Sequence, residues 1–378
     1  MRLFRLSLIA AALTAGLTLA ATVASAAPGV VGQLYVNDNT AGVNTIAGFD
    51  RHPDGQLTPI PGSPFAAGGA GTGHGIGSQG ALQLSADGRY LLAVDAGSNQ
   101  VSVLRIKPHG DLQLVGDPVS SGGVEPVSIA VSGDLVYVAN AGSGGSNYTG
   151  FRLNSGGHLR PIDNSTVALP GGSQPGDVLF SGDGHNLVGV RVATSLIDSF
   201  TVGNDGRLTA AASSPFAAQG AGPFGSEFRP TDPSQLYVSN AHGGAGNGTV
   251  SAFSVAGDGT LSSIGPSPFP DFQTAPCWIE ISHDGHYLFT VNTASNSISS
   301  YTINQDGSLT LIGSTAFKTS GLGNEDARLS PDGSTLWVVG TGADKLSGFT
   351  VSGGNLTEFS TSPTALPAGA APFGIVIT

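Results

Sequence analysis

A glycine followed two positions later by leucine recurs seven times along this chain. It stands as Gly55-Gln-Leu57, Gly110-Asp-Leu112, Gly157-His-Leu159, Gly206-Arg-Leu208, Gly259-Thr-Leu261, Gly307-Ser-Leu309 and Gly354-Asn-Leu356, at intervals of 47 to 55 residues. A period of that size is the mark of a radial repeat, in which each unit is one small antiparallel sheet. Such a sheet cannot bury both faces alone, so the copies must cover one another. A second marker closes the second apolar run of each copy with a polar residue or glycine: Asp38, Asp95, Asn140, Arg191, Asn240, Asn292 and Gly340. Two markers with the same multiplicity predict an all-β fold, a seven-bladed β-propeller with four-stranded antiparallel blades.

The segment from Pro276 to Gly313 shows the unit most plainly. β-Branched and aromatic runs at 278–282, 287–292, 298–303 and 309–312 are separated by Asp284-Gly285, a polar loop, and Asp306-Gly307, the composition of successive hairpins. The first copy, 33–64, has no run ahead of its second strand, whereas the chain ends on Phe373-Gly-Ile-Val-Ile-Thr378, which resembles an inner strand with nothing after it. The C-terminal strand is therefore expected to complete the N-terminal blade and remove two open sheet edges.

Residues 1–26 carry Arg2 and Arg5, a short Leu/Ala-rich run and the small-residue step Ala24-Ser25-Ala26, the pattern of a cleaved Sec-type signal peptide. The expected mature chain is then one propeller domain over 27–378, secreted or extracytoplasmic, with no later stretch able to span a bilayer as a helix. The formal charge of −12 becomes about −14 once Arg2 and Arg5 are lost. That balance argues against nucleic acid and anionic membrane as partners and leaves a small-molecule ligand or an extracellular partner, with a monomer expected. Cys277 is the one cysteine, so no disulfide forms within the chain, and burial as a small apolar residue is its expected role.

The repeat phase also predicts which side chains share a level near the axis. Two residues into each inner strand stand Ala81, Ser128, Asp177, Gly225, Trp278, Asp326 and Gly374; two further on stand Gln83, Ala130, Leu179, Glu227, Glu280, Arg328 and Val376. Glu227, Glu280 and Arg328 thus fall on one level of three consecutive blades. They read either as a carboxylate pair for acid–base work beside an oxyanion-holding cation, or as an interblade ion pair with one carboxylate left in a wet channel. Asp326 and Arg191 join them as catalytic candidates, Arg191 being the one cation in the second-strand ring. Asp38, His74, Asp95, Asn140, Asp177, Asn240, Trp278 and Asn292 are the ligand-binding candidates, His74 by its place in the glycine-rich stretch 68–80, expected to lie over the funnel. Asp and Asn at strand ends also cap turns locally, and no close-spaced acidic motif supports a metal; no metal or cofactor is expected.

The succession of Pro, inner strand, Ser-x-Asp-Gly, Tyr-Leu-x-Val-x-Asn, Ser-Asn-x-Val/Ile-Ser and Asp-Gly-x-Leu resembles the 6-phosphogluconolactonase-like propeller family. Ser78-Gln79-Gly80, Ser121-Gly122-Gly123, Pro223-Phe224-Gly225 and Cys277-Trp278 are similar to its secreted bacterial branch. The resemblance implies a lactonase-type site built from His, Arg, Glu and Asp around the funnel. At the matching positions this chain has Gly176, Phe224-Gly225, Ala241, Trp278 and Thr293 instead. The expectation is therefore a lactonase-like propeller whose central funnel binds a small neutral ligand and hydrolyses or isomerises a cyclic ester, without 6-phosphogluconolactonase activity. The alternative is a non-catalytic binding or structural propeller acting through its rim loops.

Overall fold

The computed structural model describes residues 29–321 and 323–378; the expected signal peptide lies outside them. Seven antiparallel sheets, here blades I to VII, follow one another around an axis. Their inner strands are Ile375–Ile377 (I), Leu82–Leu84 (II), Pro126–Ser132 (III), Pro175–Phe180 (IV), Pro223–Arg229 (V), Pro276–Ile281 (VI) and Asn324–Leu329 (VII). Each inner strand abuts the next in an unbroken ring. Closure runs through the chain end: Ile375–Ile377 pairs antiparallel with Gly32–Asn37, placing Val36 opposite Ile375 and Leu34 opposite Ile377. Blade VI has strands Pro276–Ile281, Tyr287–Asn292, Ser297–Ile303 and Leu309–Ala316, the last four residues longer than its sequence pattern predicts. No helix among the described residues is long and apolar enough to cross a membrane.

The recurrent glycine has a physical cause. All seven glycines of the Gly-x-Leu step hold φ between +78° and +84°, a conformation that costs glycine little and other residues much. The carbonyls of Gly110, Gly206, Gly259 and Gly307 accept from the preceding blade. Tyr35, Tyr137 and Tyr237 donate from their hydroxyls to the carbonyls of Gly110, Gly206 and Gly307 at 2.8–2.9 Å. A Cβ on Gly157 or Gly354 would lie 2.5 or 2.6 Å from the rings of Tyr90 and Tyr287. The repeat marker is thus an interblade clamp. A buried tyrosine satisfies its hydroxyl there, as a ring in an apolar interface must.

One regularity lies beyond the sequence reading. In every blade except VI the outer strand is broken in two, as Leu57–Pro59 and Phe65–Ala66 are in blade I, and both pieces pair with the third strand. Between the pieces a serine bonds to that strand's backbone: Ser63, Ser165, Ser214, Ser267 and Ser362 accept from the amides of Gly48, Gly150, Ser199, Ala252 and Gly348. Four of these serines precede a cis proline. The Ser-Pro-Phe steps at 63–65, 214–216 and 267–269 are the signal that would have revealed it.

Candidate functional site

The inner strands begin at one end of the axis, the mouth, where the second strands finish. Away from the mouth, the predicted charged level exists. Glu227, Glu280 and Arg328 lie opposite Tyr237, Phe289 and Trp337, each three residues before the end of its second strand. Glu280 is buried and accepts from the Leu329 amide at 3.0 Å and from Arg328 Nη1 at 3.3 Å, tying blade VI to blade VII. Burial pushes Glu227 up to about 8, with Glu280 adding to the rise and Arg328 opposing it. Glu280 is also raised by burial, against the pull of Arg328. Burial works against the charge on Arg328 too, but Glu280, Asp326 and Glu227 outweigh it and hold the guanidinium charged. The arrangement is an interblade ion pair beside a carboxyl group whose hold on its proton is strengthened, chiefly by burial.

One level nearer the mouth, Asp177 and Asp326 are buried. Asp177 stitches three blades: it accepts from Ser128 Oγ of blade III at 3.1 Å and from the amide and Oγ of Ser226 of blade V at 3.0 and 2.7 Å. Burial raises it to about 7. Asp326 is raised by burial to about 6 and accepts from the Gly80 amide at 3.3 Å.

Gly80 ends a segment that enters the axis itself. The connection from blade I to blade II is held outside by Asn39, which bonds to Thr72 Oγ1, the Thr72 amide and the His74 carbonyl at 2.8–2.9 Å. It then turns inward. The Gln79 amide donates to Gly176 O at 3.0 Å, Gln79 Nε2 donates to Ser226 O at 3.1 Å, and Gln79 Oε1 accepts from the Ile279 amide at 3.0 Å. Trp278 Nε1 donates to Ser78 O at 2.6 Å. Residues 76–80 are therefore a plug gripped by blades IV, V, VI and VII. It fits because Gly225 lacks a side chain: a Cβ there would lie 2.2 Å from Gln79 Oε1. The depth at which the sequence led us to expect an open funnel is occupied by the chain, and the polar groups of Asp326 and Trp278 are spent on holding it.

Against the mouth side of the plug lies a cleft of about 340 Å³ lined by Gly75, Ile76, Gly77, Glu125, Ala141, Gln174, Pro175, Val192, Phe224 and His242. Its charged and polar side chains, Glu125, Gln174 and His242, include neither lysine nor arginine. Glu125 and Gln174 hold φ at +56° and +47°, as Gly222, Ala275 and Gly323 do at +66°, +56° and +55° just before the inner strands of blades V, VI and VII, so this left-handed step belongs to the repeat. Glu125 and Gln174 each immediately precede the proline that opens an inner strand, and His242 follows the second-strand ring by two residues. Counting one position back from Pro126 and Pro175, and two on from Asn240, would have found them. Phe224 packs edge-on against Trp278 with ring centroids 5.0 Å apart, so the cleft wall and the plug's anchor are one packed unit.

The second-strand ring is turned into its own blades. Thr45 Oγ1 donates to Asp38 at 2.7 Å, Ser102 Oγ to Asp95 at 2.5 Å, Asn140 Nδ2 to Asn147 at 2.8 Å, and Asn240 and Asn292 Nδ2 to Ser251 and Ser299 at 2.8 Å. All five are buried. One oxygen on each of Asp38, Asn140, Asn240 and Asn292 lacks a protein donor, but these stand on different blades, and no trio of acidic, His or Cys ligands gathers among the described residues. Arg191 is held within its own blade. Its Nε and Nη2 are both taken by Asp198 of the same blade, the Nε bond at 2.6 Å, and Tyr148 donates to that carboxylate at 3.0 Å. It is a buried bracing pair, apart from Glu227, Glu280 and Arg328. His74 is exposed, its Nδ1 3.2 Å from Gly75 O, outside the cleft lining. Cys277 is buried, and burial pushes its thiol up to about 12.

The comparisons with known proteins agree with this architecture. The family described as lactonase, seven-bladed β-propeller, matches residues 43–172 and 227–376. Among solved structures, a Bacteroides uniformis protein provisionally named a 6-phosphogluconolactonase is 20% identical, with 92% of this chain and 99% of that one covered at a TM-score of 0.73. A periplasmic gluconolactonase of Pseudomonas aeruginosa is 18% identical, with 92% and 98% covered at 0.72; at such identities the likeness is one of fold. No curated protein matches the sequence. On the family match, which spans most of the chain, this protein belongs to the family described as lactonase, seven-bladed β-propeller.

Proposed function

We propose that the protein is an exported hydrolase of small, uncharged, hydroxylated lactones, and that it takes its substrate in the mouth cleft rather than in the channel. The observation that carries this reading is the plug, which fills the axis and leaves beside it, at the mouth, a cleft whose lining includes Glu125, Gln174 and His242. A lining without lysine or arginine favours an uncharged ligand over a phosphorylated one, because a phosphate needs cationic or amide donors to replace its water. His242 or Glu125 takes a proton from water as its oxygen bonds to the carbonyl carbon. The ring C–O bond then breaks, and the leaving alkoxide takes that proton back.

A second reading, a binding propeller without turnover, is favoured by Gly176, Phe224, Ala241, Trp278 and Thr293 at the positions where the family pattern has charged or His side chains. Titrating purified mature protein with simple, sugar and phosphorylated lactones separates the two, with ring opening followed by base uptake. Hydrolysis of uncharged lactones that falls by 10²–10⁴-fold in His242→Ala or Glu125→Gln supports the hydrolase. Binding without ring opening supports the second reading, and a preference for the phosphorylated lactone overturns the cleft assignment.

A further inference from the structure

The plug changes character along its length. From Gln79 onward its amides are spent on the ring: Gln79 donates to Gly176 O and Gly80 to Asp326. Just before, the pattern stops. Among the described residues nothing accepts the amide protons of Ile76, Gly77 or Ser78, although Ile76 and Gly77 line the mouth cleft and Ser78 is buried. Buried amides are nearly always paired; Ile76 and Ser78 are buried and Gly77 is exposed at the cleft, so this short run of donors is open to an acceptor from outside. Gly77 holds φ at +56° and exposes its backbone with no Cβ in the way.

The donors are also fixed. Asn39 holds Thr72 and His74 on one side, and Trp278 Nε1 and the three bonds of Gln79 hold Ser78 and Gln79 on the other. Donors whose orientation is settled before the substrate arrives are what stabilise charge developing on a carbonyl oxygen, because nothing reorganises during the reaction.

Resting on the mouth-cleft reading, we infer that the plug is part of the reaction machinery: the backbone amides of Ile76 to Ser78, Gly77 foremost, receive the carbonyl oxygen of the lactone. When water's oxygen bonds to the carbonyl carbon, the π pair moves onto the carbonyl oxygen, and the negative charge formed there faces the amide of Gly77. As the carbonyl re-forms, the ring oxygen departs with the bonding pair and is protonated. Glu125 and His242, elsewhere in the cleft lining, act on the water and the leaving oxygen, so the plug and the proton-transfer groups divide the work. Gln79 touches no substrate. It is a positioning residue, acting through the amides it holds in place.

The test follows each backbone amide of deuterated, nitrogen-15-labelled protein by NMR during titration with δ-valerolactone, and in parallel with tetrahydropyran, the same ring without the carbonyl. The expected result is a downfield proton shift at Gly77 and its neighbours with the lactone and none with the ether. Gln79→Ala should lower kcat by about 10²-fold while KM changes little, the signature of misplaced rather than missing binding groups. A lactone that moves resonances around Glu125 and His242 but leaves residues 76–78 unmoved overturns the inference and spares the mouth-cleft reading. Equal shifts with the ether overturn it as well. No lactone-dependent shift anywhere in the cleft removes both.

Discussion

The two sides of the plug are built from the same seven inner strands, yet they solve opposite problems. Below it stand Asp177, Glu227, Glu280, Asp326 and Arg328 on the inner strands, and the hydrogen bonds described there run to neighbouring blades or to the plug. Above it, Glu125, Gln174 and His242 face a cleft. Charge density is therefore a poor guide to the site in this molecule. The acidic level is where a closed ring of strands satisfies its own polar groups, and the sparser level is where groups remain for a ligand. If the division is right, damage below should appear as lost stability, and damage above as lost chemistry.

Removing Arg328 is the largest expected blow to the lower level. Arg328→Met leaves Glu280, whose side chain is 6% exposed, without its cation. Breaking a buried pair on one side typically costs about 3–5 kcal/mol; with Arg328 24% exposed, we expect the low end, about 3 kcal/mol discounted for solvent screening. Denaturant unfolding reads the loss, and the double variant Glu280→Gln/Arg328→Met should recover much of it. Lactone affinity, measured where the variant is still folded, should be unchanged. A variant of full stability would mean that the pair braces nothing.

The next effect is graded by pH. Burial, the leading cause, raises Glu227 to about 8, Asp177 to about 7 and Asp326 to about 6, against roughly 4 for such groups in an unfolded chain. The folded state therefore holds protons that the unfolded chain has released. The stabilisation is fully present below about pH 4 and drains away as pH rises through 6 to 8. Thermal melting from pH 5 to pH 9 should show Tm falling with pH, and Glu227→Gln, which keeps the neutral form at every pH, should flatten the upper part of that slope. A Tm that rises across the interval contradicts the burial of these carboxyls.

The fold was legible because each marker has a local cause that repeats. The glycine of Gly-x-Leu must take positive φ against the preceding blade, beneath a tyrosine in five of the seven cases, so it is written seven times. The charged level was legible for the same reason: repeat phase fixes depth along the axis. The ring's hydrogen-bond partners were legible too, though unread. Asp38, Asp95, Asn140, Arg191 and Asn292 each bond to the residue seven positions on, Thr45, Ser102, Asn147, Asp198 and Ser299, a spacing fixed by the hairpin between second and third strands. Arg191 looked like a ligand group only because Asp198 was not read beside it. The plug was not legible. Residues 76–80 obey no repeat, and their partners at 176, 226, 278, 279 and 326 are brought near only by ring closure.

The smallest effect separates two histidines at the mouth. His74 belongs to the segment that leads into the plug, yet its ring is exposed and 3.2 Å from the neighbouring Gly75 carbonyl, while the segment's anchoring runs through backbone and the Asn39 amide. Deleting an exposed side chain with so local a contact should change stability by no more than about 0.5 kcal/mol. His242, by contrast, lines the cleft. His74→Ala should therefore keep kcat/KM for an uncharged lactone within about twofold, well short of what losing a general base costs, whereas His242→Ala loses most of it. Were His74→Ala the damaging variant and His242→Ala the silent one, the substrate would lie on the other flank of the plug. The mouth cleft would then be only a surface depression between blades.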